Sequence, residues 1–345
     1  MKHHDFRAAT VCLLGVALSL LAAEPGGDGV KVTQKNDRVT VEINGDLFTE
    51  FWFQGNQHPA KIKKKGSDEE VTQPTRKVYY WPITGPNGAI MTRAWPIVPD
   101  SKNEEHDHPH HRGFWFAHGL VNGVDFWAED AKAGRIVHDR FIEVKSGKDE
   151  GIIKSACKWV APDNKVVCTD ERVLRVYNRP KNERLFDFEI TLQAPNDRDT
   201  VLGDTKEGTL AMRIAESMRL SLGKNKPGKG RIVQNTGTEG DKTWGKPAEW
   251  CDYSGPVEGN TVGIAIFDHP KNPVHPTWWH VRDYGLFAAN PFGVHDFEKK
   301  PPGTGNLTIP AGKSITFKYR LYLHEGDERQ GKVAERYEAY VKAVK

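Results

Sequence analysis

The segment GRIVHDRFIEVKSGKDEGIIKSACKWVAPDNKVVCTDERVLRVYNRPKNERLFDFEITLQ (residues 134–193) predicts four long β-strands in succession. Residues 134–145, 151–160, 165–177 and 183–193 are rich in alternating apolar and β-branched positions, and turn-forming residues separate each run from the next. Consecutive strands joined by short turns pair antiparallel, because a tight turn reverses the chain direction. The segment therefore predicts the centre of a large antiparallel sheet.

Two cysteines flank a turn at residues 161–164 inside this segment. Counting outward from the middle of the turn places Cys157 opposite Cys168. Facing thiols form a disulfide in an oxidising compartment, so a Cys157–Cys168 disulfide is predicted, and a reduced pair is the alternative. Cys251 is then an odd thiol, which we expect to be buried.

The composition is that of a globular, turn-rich protein. Of 345 residues, 37% are hydrophobic and 28% are charged, which is enough apolar content for a substantial core. The 49 basic side chains nearly balance the 46 acidic ones, so no nucleic-acid or membrane-surface partner is indicated. The chain combines 33 glycines and 21 prolines with 10 tryptophans, which favours a β architecture with a ligand-lined face.

Both ends of the chain carry recognisable signals. Residues 1–23 have a polar start, a basic residue and an apolar run, the order of a secretory signal peptide, so we expect export to the periplasm or the extracellular space. Residues 24–345 are then predicted to be a single β-sandwich domain without an integral membrane segment. Near the other end, Asp327 followed by Gln330 resembles a helix N-cap with its capping box, and the apolar positions after it recur at helical spacing. This pattern predicts a short C-terminal helix.

The densest chemistry lies just before the four strands, in HDHPHHRGFWFAHGLVNGVDFW (residues 106–127). An unperturbed imidazole titrates near pH ~6.5, so clustered histidines suit proton transfer, metal ligation or anion binding. A proline and a glycine break regular structure, which predicts that residues 106–112 form a loop leading into a strand. Alternation in that strand places His118 in an apolar row. Residues 122–123, Asn-Gly, then predict a type I′ turn.

A second dense segment, GIAIFDHPKNPVHPTWWHVRDYGLFAANPFG, spans residues 263–293. In a strand that begins at Trp278, alternation places Trp278, His280 and Arg282 on one face and Asp283 on the other. An imidazole beside a guanidinium suits an anionic or hydroxyl-rich ligand. A stacked His–Arg pair on a sheet surface is the simpler alternative.

Aromatic and acidic side chains in the intervening chain complete the candidate set. Trp244, Trp250 and Tyr253 lie among glycines and prolines, where aromatic rings offer flat platforms for the C–H faces of a sugar or close the end of the core. In a strand over residues 210–222, Glu216 shares a face with apolar side chains. Burial raises a carboxyl pKa and suits a general acid or base, and an ion pair with an arginine is the alternative.

Four segments resemble a family of exported bacterial proteins labelled PmoA-like. They are DHPHHRGFWFAHGLVNGVDFW (107–127), WCDYSGPVEG (250–259), residues 263–293 and LTIPAGKSITFKYRLYLHEG (307–326). The label is that of a methane monooxygenase subunit, a multi-span membrane protein, and this sequence argues against that chemistry because it retains no spanning segment after export. The resemblance implies an all-β fold, a large antiparallel two-sheet sandwich of the mutarotase-like supersandwich type. Proteins of that type work with histidine, arginine and carboxylate on the concave face of a sheet.

The leading hypothesis is an exported carbohydrate-active enzyme that acts on a sugar or glycoside by hydrolysis, elimination or epimerisation. A histidine would be the acid or base, and an arginine would hold a developing oxyanion. The residues expected to line the catalytic pocket are His108, His110, His111, Arg112, His118, His280, Arg282, Asp283 and Glu216. The side chains expected to bind the sugar are Trp115, Trp244, Trp250, Tyr253, Trp278, Asp268 and His269. Two remote segments must therefore converge on one cleft.

Two alternatives remain open from the sequence. One is a metal-dependent enzyme in which His108, His110, His111 and His118 are ligands of zinc or a related divalent ion, although the spacing lacks the i, i+4 pattern of a helical zinc motif. The other is a non-catalytic glycan-binding protein. Aromatic platforms suffice for binding, but binding alone does not need so many titratable groups.

Overall fold

Two eight-stranded antiparallel sheets pack face to face in the computed structural model, which describes Met1 and residues 28–63 and 66–344. The predicted all-β sandwich with a short C-terminal helix is confirmed. Apart from Met1, the predicted signal peptide lies outside the described residues. No helix in the described ranges combines the length and the apolar character needed to cross a membrane.

The elements are numbered along the chain. The strands are β1 (Val30–Gln34), β2 (Arg38–Ile43), β3 (Asp46–Trp52), β4 (Ala60–Lys63), β5 (Glu70–Gln73), β6 (Tyr79–Ile83), β7 (Phe114–His118), β8 (Arg135–Lys145), β9 (Glu150–Val160), β10 (Val166–Tyr177), β11 (Glu183–Gln193), β12 (Thr200–Leu202), β13 (Gly208–Arg213), β14 (Arg231–Gln234), β15 (Trp250–Val257), β16 (Asn260–Asp268), β17 (Trp278–Val281), β18 (Leu286–Asn290), β19 (Leu307–Ile309) and β20 (Ser314–Glu325). The helices are α1 (Val294–Glu298) and α2 (Val333–Val344), and short 3₁₀ helices occupy Pro86–Gly88, Glu216–Met218 and Gly240–Thr243.

Hydrogen bonding orders these strands into two large sheets. Sheet A has the order β1-β2-β3-β6-β7-β13-β18-β17, and sheet B has the order β14-β15-β16-β20-β11-β10-β9-β8. Two further pairs, β12-β19 and β4-β5, stand apart from them. The four strands predicted over residues 134–193 are β8 to β11, consecutive neighbours at one edge of sheet B.

Apolar side chains from the facing surfaces of the two sheets form the core. The Phe114 ring on β7 lies 5.4 Å from the Phe188 ring and 5.6 Å from the Phe186 ring, both on β11 (centroid to centroid). Successive side chains of a strand point to opposite faces, so the face of β7 that carries Phe114 and Phe116 points into the core. Trp115 therefore points to the outer face of sheet A.

The predicted Cys157–Cys168 disulfide is wrong, because both cysteines are free and buried. A bulge between Val166 and Cys168 shifts the register, so that Cys168 lies opposite Trp159 and Cys157 lies opposite Asp170. Counting outward from the turn assumes a regular ladder, and one extra residue on β10 breaks that assumption. Burial raises the pKa of both thiols, which are therefore protonated.

The predicted capping box forms, but it caps a turn that precedes helix α2: the helix begins at Val333, and Lys332 directly before it has a φ angle of 53°. The Gln330 N–H donates to Asp327 Oδ1 at 3.0 Å, and the Asp327 N–H donates to Gln330 Oε1 at 3.2 Å, which is a capping box. Three side chains at helical spacing, Val333, Tyr337 and Tyr340, are buried. They belong to a second apolar cluster that covers part of sheet B on the side away from sheet A.

Candidate active site

The loop at residues 106–112 enters sheet A through Gly113. The φ angle of Gly113 is 55°, and a Cβ atom there would lie 2.3 Å from the Tyr80 carbonyl oxygen, so a glycine is required. The Arg213 N–H donates to the Gly113 carbonyl at 2.8 Å, and the Arg93 N–H donates to the Arg213 carbonyl at 3.1 Å. The histidine-rich loop, the end of β13 and residue 93 therefore meet at one place.

Asp107 is held by two buried arginines. Arg213 Nη2 donates to Asp107 Oδ1 at 2.7 Å, and Arg93 Nη1 donates to the same oxygen. Neither arginine side chain is exposed, whereas 32% of the Asp107 side chain is. Burial raises the pKa of Asp107, but the hydrogen bond with His108 and the charges of Arg213 and Arg93 outweigh burial and hold that pKa well below its usual range. Asp107 is therefore a carboxylate at neutral pH.

His108 and Asp107 form a hydrogen-bonded dyad. His108 Nδ1 lies 2.8 Å from Asp107 Oδ2, and because a carboxylate can only accept, a proton is on Nδ1, so the neutral form of this imidazole has its lone pair on Nε2. The ring stacks on His111, with centroids 4.8 Å apart, and on Tyr284, with centroids 4.9 Å apart. Because 40% of its side chain is exposed, His108 is an oriented base that solvent can reach.

His111 is oriented in the opposite sense. Arg213 Nη1 lies 3.2 Å from His111 Nδ1. A guanidinium can only donate, so His111 Nδ1 is the acceptor and the imidazole proton is on Nε2. Burial, followed by the neighbouring His110 and Arg213, lowers the pKa of His111 well below its ordinary value. His111 is therefore a neutral imidazole that presents an N–H donor.

His110 lies against both of these rings. Its ring centroid is 4.6 Å from that of His111 and 5.9 Å from that of His108. Burial and then the charge of Lys77 lower the pKa of His110 to about 3, so the ring is neutral. Within the described part of the chain its ring nitrogens make no hydrogen bond, which leaves them free for a ligand.

A buried ionic group supports the loop at His110. Glu129 accepts from Lys77 Nζ at 3.0 Å and from Arg112 Nε at 2.8 Å, and none of the three side chains is exposed. Lys77 Nζ also donates to the His110 carbonyl at 3.2 Å, and Arg112 Nη1 donates to the His58 carbonyl at 2.8 Å. Arg112, predicted to hold an oxyanion, is thus committed to Glu129 and to backbone.

Tyr284 connects the histidine loop to the second predicted segment. Arg213 Cζ lies 4.9 Å from the Tyr284 ring centroid and Arg282 Cζ lies 5.4 Å from it, while Arg282 Cζ is also 5.9 Å from the Trp244 ring centroid. Arg282 forms no ion pair with any described carboxylate. A pocket of about 280 Å³ beside it is lined by Asp241, Trp244, Val281, Arg282 and Asp283.

The two predicted segments share one face of sheet A without merging into one cluster. Cross-strand pairing forms a row of Trp115, Ala211, Ala288 and His280 across β7, β13, β18 and β17. His280 is therefore three strands from Trp115, and its Nδ1 lies 2.6 Å from the Lys206 carbonyl. Burial lowers the pKa of His280 to about 3, so it is neutral. Trp115 is also buried, and it stacks on a histidine of the loop instead of offering a free platform.

Four of the predicted residues from the second half of the chain keep exposed surface on this side of the molecule, namely Arg282, Asp283, Trp244 and Trp278. All four are half-buried. The first three line the pocket beside Tyr284. The Trp278 indole instead donates to Glu298 at 2.9 Å.

His118 and Glu216 lie away from the histidine loop. His118 is fully buried between the sheets, where Nε2 donates to the Gly203 carbonyl at 2.7 Å and the ring packs on Phe292. This is the apolar row that strand alternation predicted, and it is the face opposite the loop histidines. Glu216 forms an ion pair with Arg219, which is the alternative given for it.

Four further predicted residues are structural in their contacts. Tyr253 packs on Phe287 in the core, and its hydroxyl accepts the Leu220 N–H at 3.0 Å. Trp250 belongs to the apolar cluster under α2, and His269 packs on Tyr340 of that helix. Asp268 accepts from Asn272 Nδ2 at 2.7 Å and pairs with His275, so it anchors the proline-rich loop that follows β16.

The histidines do not fit the predicted divalent-metal site. Among the described residues, no three His, Cys, Asp or Glu side chains are arranged to hold a metal ion. His108 Nδ1 faces a carboxylate, His111 Nδ1 accepts from a guanidinium, and His118 is on the other face of the sheet. The positive charge of Arg213, 3.2 Å from His111, opposes a second cation there.

Several residues that build the cluster were not predicted from the sequence. Asp107 stands in the quoted histidine segment, and its position directly before His108 was a usable signal. Arg93, Arg213 and Tyr284 come from three separate segments, and only the pairing of β13 with Gly113 and with β18 brings them together. Local periodicity contains no information on such pairings.

Comparison with solved structures gives matches of low identity and low TM-score. No curated protein matches the chain. Similar solved structures include a putative kojibiose phosphorylase from human microbiome (TM-score 0.33, 10% identity, covering 90% of this chain and 33% of that chain). Others are a galactose 1-epimerase from Lactobacillus acidophilus NCFM (TM-score 0.35, 8% identity, 81% and 100% covered) and a GalM/aldose epimerase homologue from C. elegans (TM-score 0.31, 6% identity, 87% and 99% covered). The chain spans about a third of the length of the phosphorylase.

One family model matches most of the chain. It covers residues 38–338, which include every strand from β2 to β20 and the start of α2. Its description is a family of unknown function and does not carry the PmoA label. The chain belongs to this family, DUF6807.

Proposed function

We propose that the protein is an exported carbohydrate-active enzyme that transfers protons, with chemistry of the epimerase or lyase type. His108 is the base and His111 is the neutral hydrogen-bond donor. The observation that carries the proposal is the pair of fixed tautomers: Asp107 holds the His108 proton on Nδ1, and Arg213 holds the His111 proton on Nε2.

The proton transfer follows from these tautomers. His108 Nε2 takes a proton from a sugar C–H or O–H group, and the resulting imidazolium is stabilised by the Asp107 carboxylate 2.8 Å from Nδ1. His111 Nε2–H donates a hydrogen bond to the substrate oxygen that gains negative charge. His111 suits this task because it is neutral. A neutral imidazole polarises the oxygen by donating a hydrogen bond and keeps its proton, whereas an imidazolium would be a stronger acid.

The carboxylates beside the histidines do not suit acid catalysis. Protonation of a glycosidic oxygen by a carboxylic acid requires a raised carboxyl pKa. Burial raises the pKa of Glu129, but the charges of Arg112 and Lys77 outweigh it, and the pKa of Asp107 is also lowered. Neither carboxyl group holds a proton at neutral pH. Histidine-based proton transfer is therefore favoured over hydrolysis by a carboxylate pair.

The surroundings of Tyr284 suit a sugar. Half-buried Trp244 offers a ring face to C–H groups, and Arg282 and Asp283 offer a donor and an acceptor for hydroxyls. Tyr284 joins this pocket to the base, because its ring stacks on His108 and also contacts Arg282 of the pocket.

The test is deuterium exchange. The purified protein is incubated in D₂O with a panel of monosaccharides, oligosaccharides and oxidised sugars, and products are followed by NMR and mass spectrometry. We expect carbon-bound deuterium or an unsaturated product from one class of sugar. His108→Gln should lower the rate about 10²- to 10⁴-fold.

His106→Gln is the matched control, because His106 lies in the same loop but stacks on Trp95 and contacts the Ser101 carbonyl. Its rate should equal that of the wild type. No exchange or product across the panel, or equal rates for His108→Gln and wild type, would refute the proposal. Loss of activity after removal of metal ions, with recovery on adding zinc, would favour the metal-dependent alternative instead.

A further inference from the structure

We infer that the substrate is an acidic sugar, a uronate whose carboxylate adjoins the carbon from which His108 removes a proton. The inference rests on the proposed function for its chemical step, but the recognition of the carboxylate is argued separately from charge and hydrogen bonding. It specifies the class of sugar among those that the pocket beside Tyr284 would accept.

The first observation is a cluster of buried cations around the histidine loop. Lys77, Arg93, Arg112 and Arg213 have no exposed side-chain surface, and the two carboxylates that pair with them are Asp107 and Glu129. His110 and His111 are neutral and add no charge. Each carboxylate is therefore shared between two cations, which leaves part of the donor capacity of the cations for an anionic ligand.

Two further carboxylates lie near this cluster. Glu104 accepts the backbone N–H groups of Ala94 and Trp95 at 2.9 and 2.7 Å beside Arg93, and the charge of Asp125 acts on Lys77. Glu216 is ion-paired with Arg219, so that pair is neutral. The four cations are therefore matched by four carboxylates, and the case for an anion rests on unpaired donors and not on net charge.

The second observation is that guanidinium donors are left without acceptors. Arg112 Nη2 and Arg213 Nε are buried and have no hydrogen-bond partner in the described part of the protein. A buried donor without an acceptor costs about 1–3 kcal/mol in proteins generally. An anion bound near these two donors would reduce that cost. Both atoms belong to the cations that surround the loop histidines.

The third observation identifies the group that a carboxylate can reach. Arg282 is half-buried, and its guanidinium is held near the Tyr284 and Trp244 rings while pairing with no described carboxylate. A planar guanidinium binds a carboxylate through two parallel hydrogen bonds. Asp241 and Asp283 border the same pocket and are acceptors for sugar hydroxyls, so they hold the ring while Arg282 holds its acid group.

The geometry also supplies a reason for the carboxylate in the reaction. When His108 Nε2 takes the proton, the C–H bond breaks and its electron pair moves into the adjacent carboxylate, which becomes an enediolate. Arg282 and the His111 N–H stabilise the added charge. For epimerisation, water on the opposite face gives a proton to the carbon, which inverts it, and the hydroxide that is left takes the proton held by His108. Alternatively, the oxygen on the next carbon departs, a C=C bond forms, and the leaving oxygen takes the proton from His108.

Binding of matched sugars to the full chain tests the inference. Glucuronate and galacturonate are compared with glucose and galactose by calorimetry. We expect the uronates to bind about 10- to 100-fold more tightly, the range given by one or two charge-assisted hydrogen bonds. The difference should shrink as salt is raised, because the anion is recognised partly by charge.

Variants of Arg282 and of a remote arginine distinguish carboxylate binding at this pocket from attraction by the overall charge of the protein. Arg282→Gln should abolish the preference for uronates, and Arg282→Lys, which keeps the charge but loses the planar fork, should retain part of it. Arg140→Gln removes an exposed arginine on sheet B, and the preference should be unchanged. Equal binding of neutral sugars and uronates, or an unchanged preference in Arg282→Gln, would overturn the inference.

The outcomes distinguish this inference from the proposed function. A uronate preference that depends on Arg282, without deuterium exchange on any sugar, supports an acidic-sugar site and refutes the enzyme. Exchange on neutral sugars without a uronate preference supports the enzyme and refutes the acidic-sugar class. Absence of both refutes both.

Discussion

Replacement of His118 by glutamine should change the pH dependence of stability more than it changes any activity. His118 is fully buried, donates to the Gly203 carbonyl at 2.7 Å, and has no partner for Nδ1 among the described residues. Burial lowers its pKa from 6.5 to about 4, against a smaller opposing effect of that hydrogen bond. His118 is therefore neutral in the folded protein at pH values where it is charged in the unfolded chain.

The sign and size follow from proton linkage. Between pH 6.5 and 4 the unfolded chain binds a proton at this site and the folded protein does not, so acid favours unfolding through that window. With these two pKa values, His118 removes about 2 kcal/mol of stability between pH 8 and pH 5. Glutamine has no such titration and keeps an N–H donor for the Gly203 carbonyl.

The assay is urea unfolding at pH 8 and at pH 5, followed by tryptophan fluorescence. The free energy of unfolding of His118→Gln should fall by about 2 kcal/mol less than that of the wild type over this interval. The comparison uses the difference between two pH values, so a constant loss of stability from imperfect packing of glutamine cancels. Equal losses in the two proteins would refute the assigned pKa and its cause.

Two further predictions concern the buried ionic group and the cysteines. Glu129→Gln leaves Lys77 and Arg112 buried without their counter-charge, so the free energy of unfolding should fall by about 3–5 kcal/mol in a urea titration. Glu171→Gln is the control, because it removes a partially exposed ion pair with Lys154 and should change the same free energy by less than about 1 kcal/mol. All three described cysteines are free and buried, so a thiol reagent should modify them only after denaturation, and a reducing agent should leave the unfolding midpoint unchanged. Thiol labelling of fewer than three cysteines in denaturant, restored by a reductant, would contradict this.

The fold was predictable because its signals are local. Alternation along residues 134–193 identified β8 to β11, and the Asn-Gly pair at residues 122–123 forms the predicted turn, with φ angles of 48° and 81°. The capping box at residues 327–330 is equally local, although it closes the turn before α2 and not the helix itself. The Cys157–Cys168 pairing failed because a single bulge, invisible to periodicity, moves one partner along the ladder.

The site was predictable only in part, because its histidines are neighbours in the sequence whereas the residues that contact them come from distant segments. The histidines of residues 106–112 are neighbours in sequence, so their cluster could be read directly. Arg213 fixes the His111 tautomer, and Arg93 and Arg213 together hold Asp107, which fixes the His108 tautomer. The stacking tyrosine is residue 284. Each reaches the loop through strand pairing in sheet A, and no pattern within its own segment indicates that pairing.

The same strand explains why histidines only seven residues apart have different roles. Along β7, alternation directs Trp115 to the outer face, where it stacks on His111, and directs His118 to the core. On the outer face, positive charge comes from arginines, and Arg213 remains protonated at neutral pH although burial lowers its pKa to about 9. The arginines therefore keep positive charge beside the loop at neutral pH, while His110 and His111 stay neutral. A histidine cluster that supplied its own positive charge would have no unprotonated base at the pH where it attracts an anion.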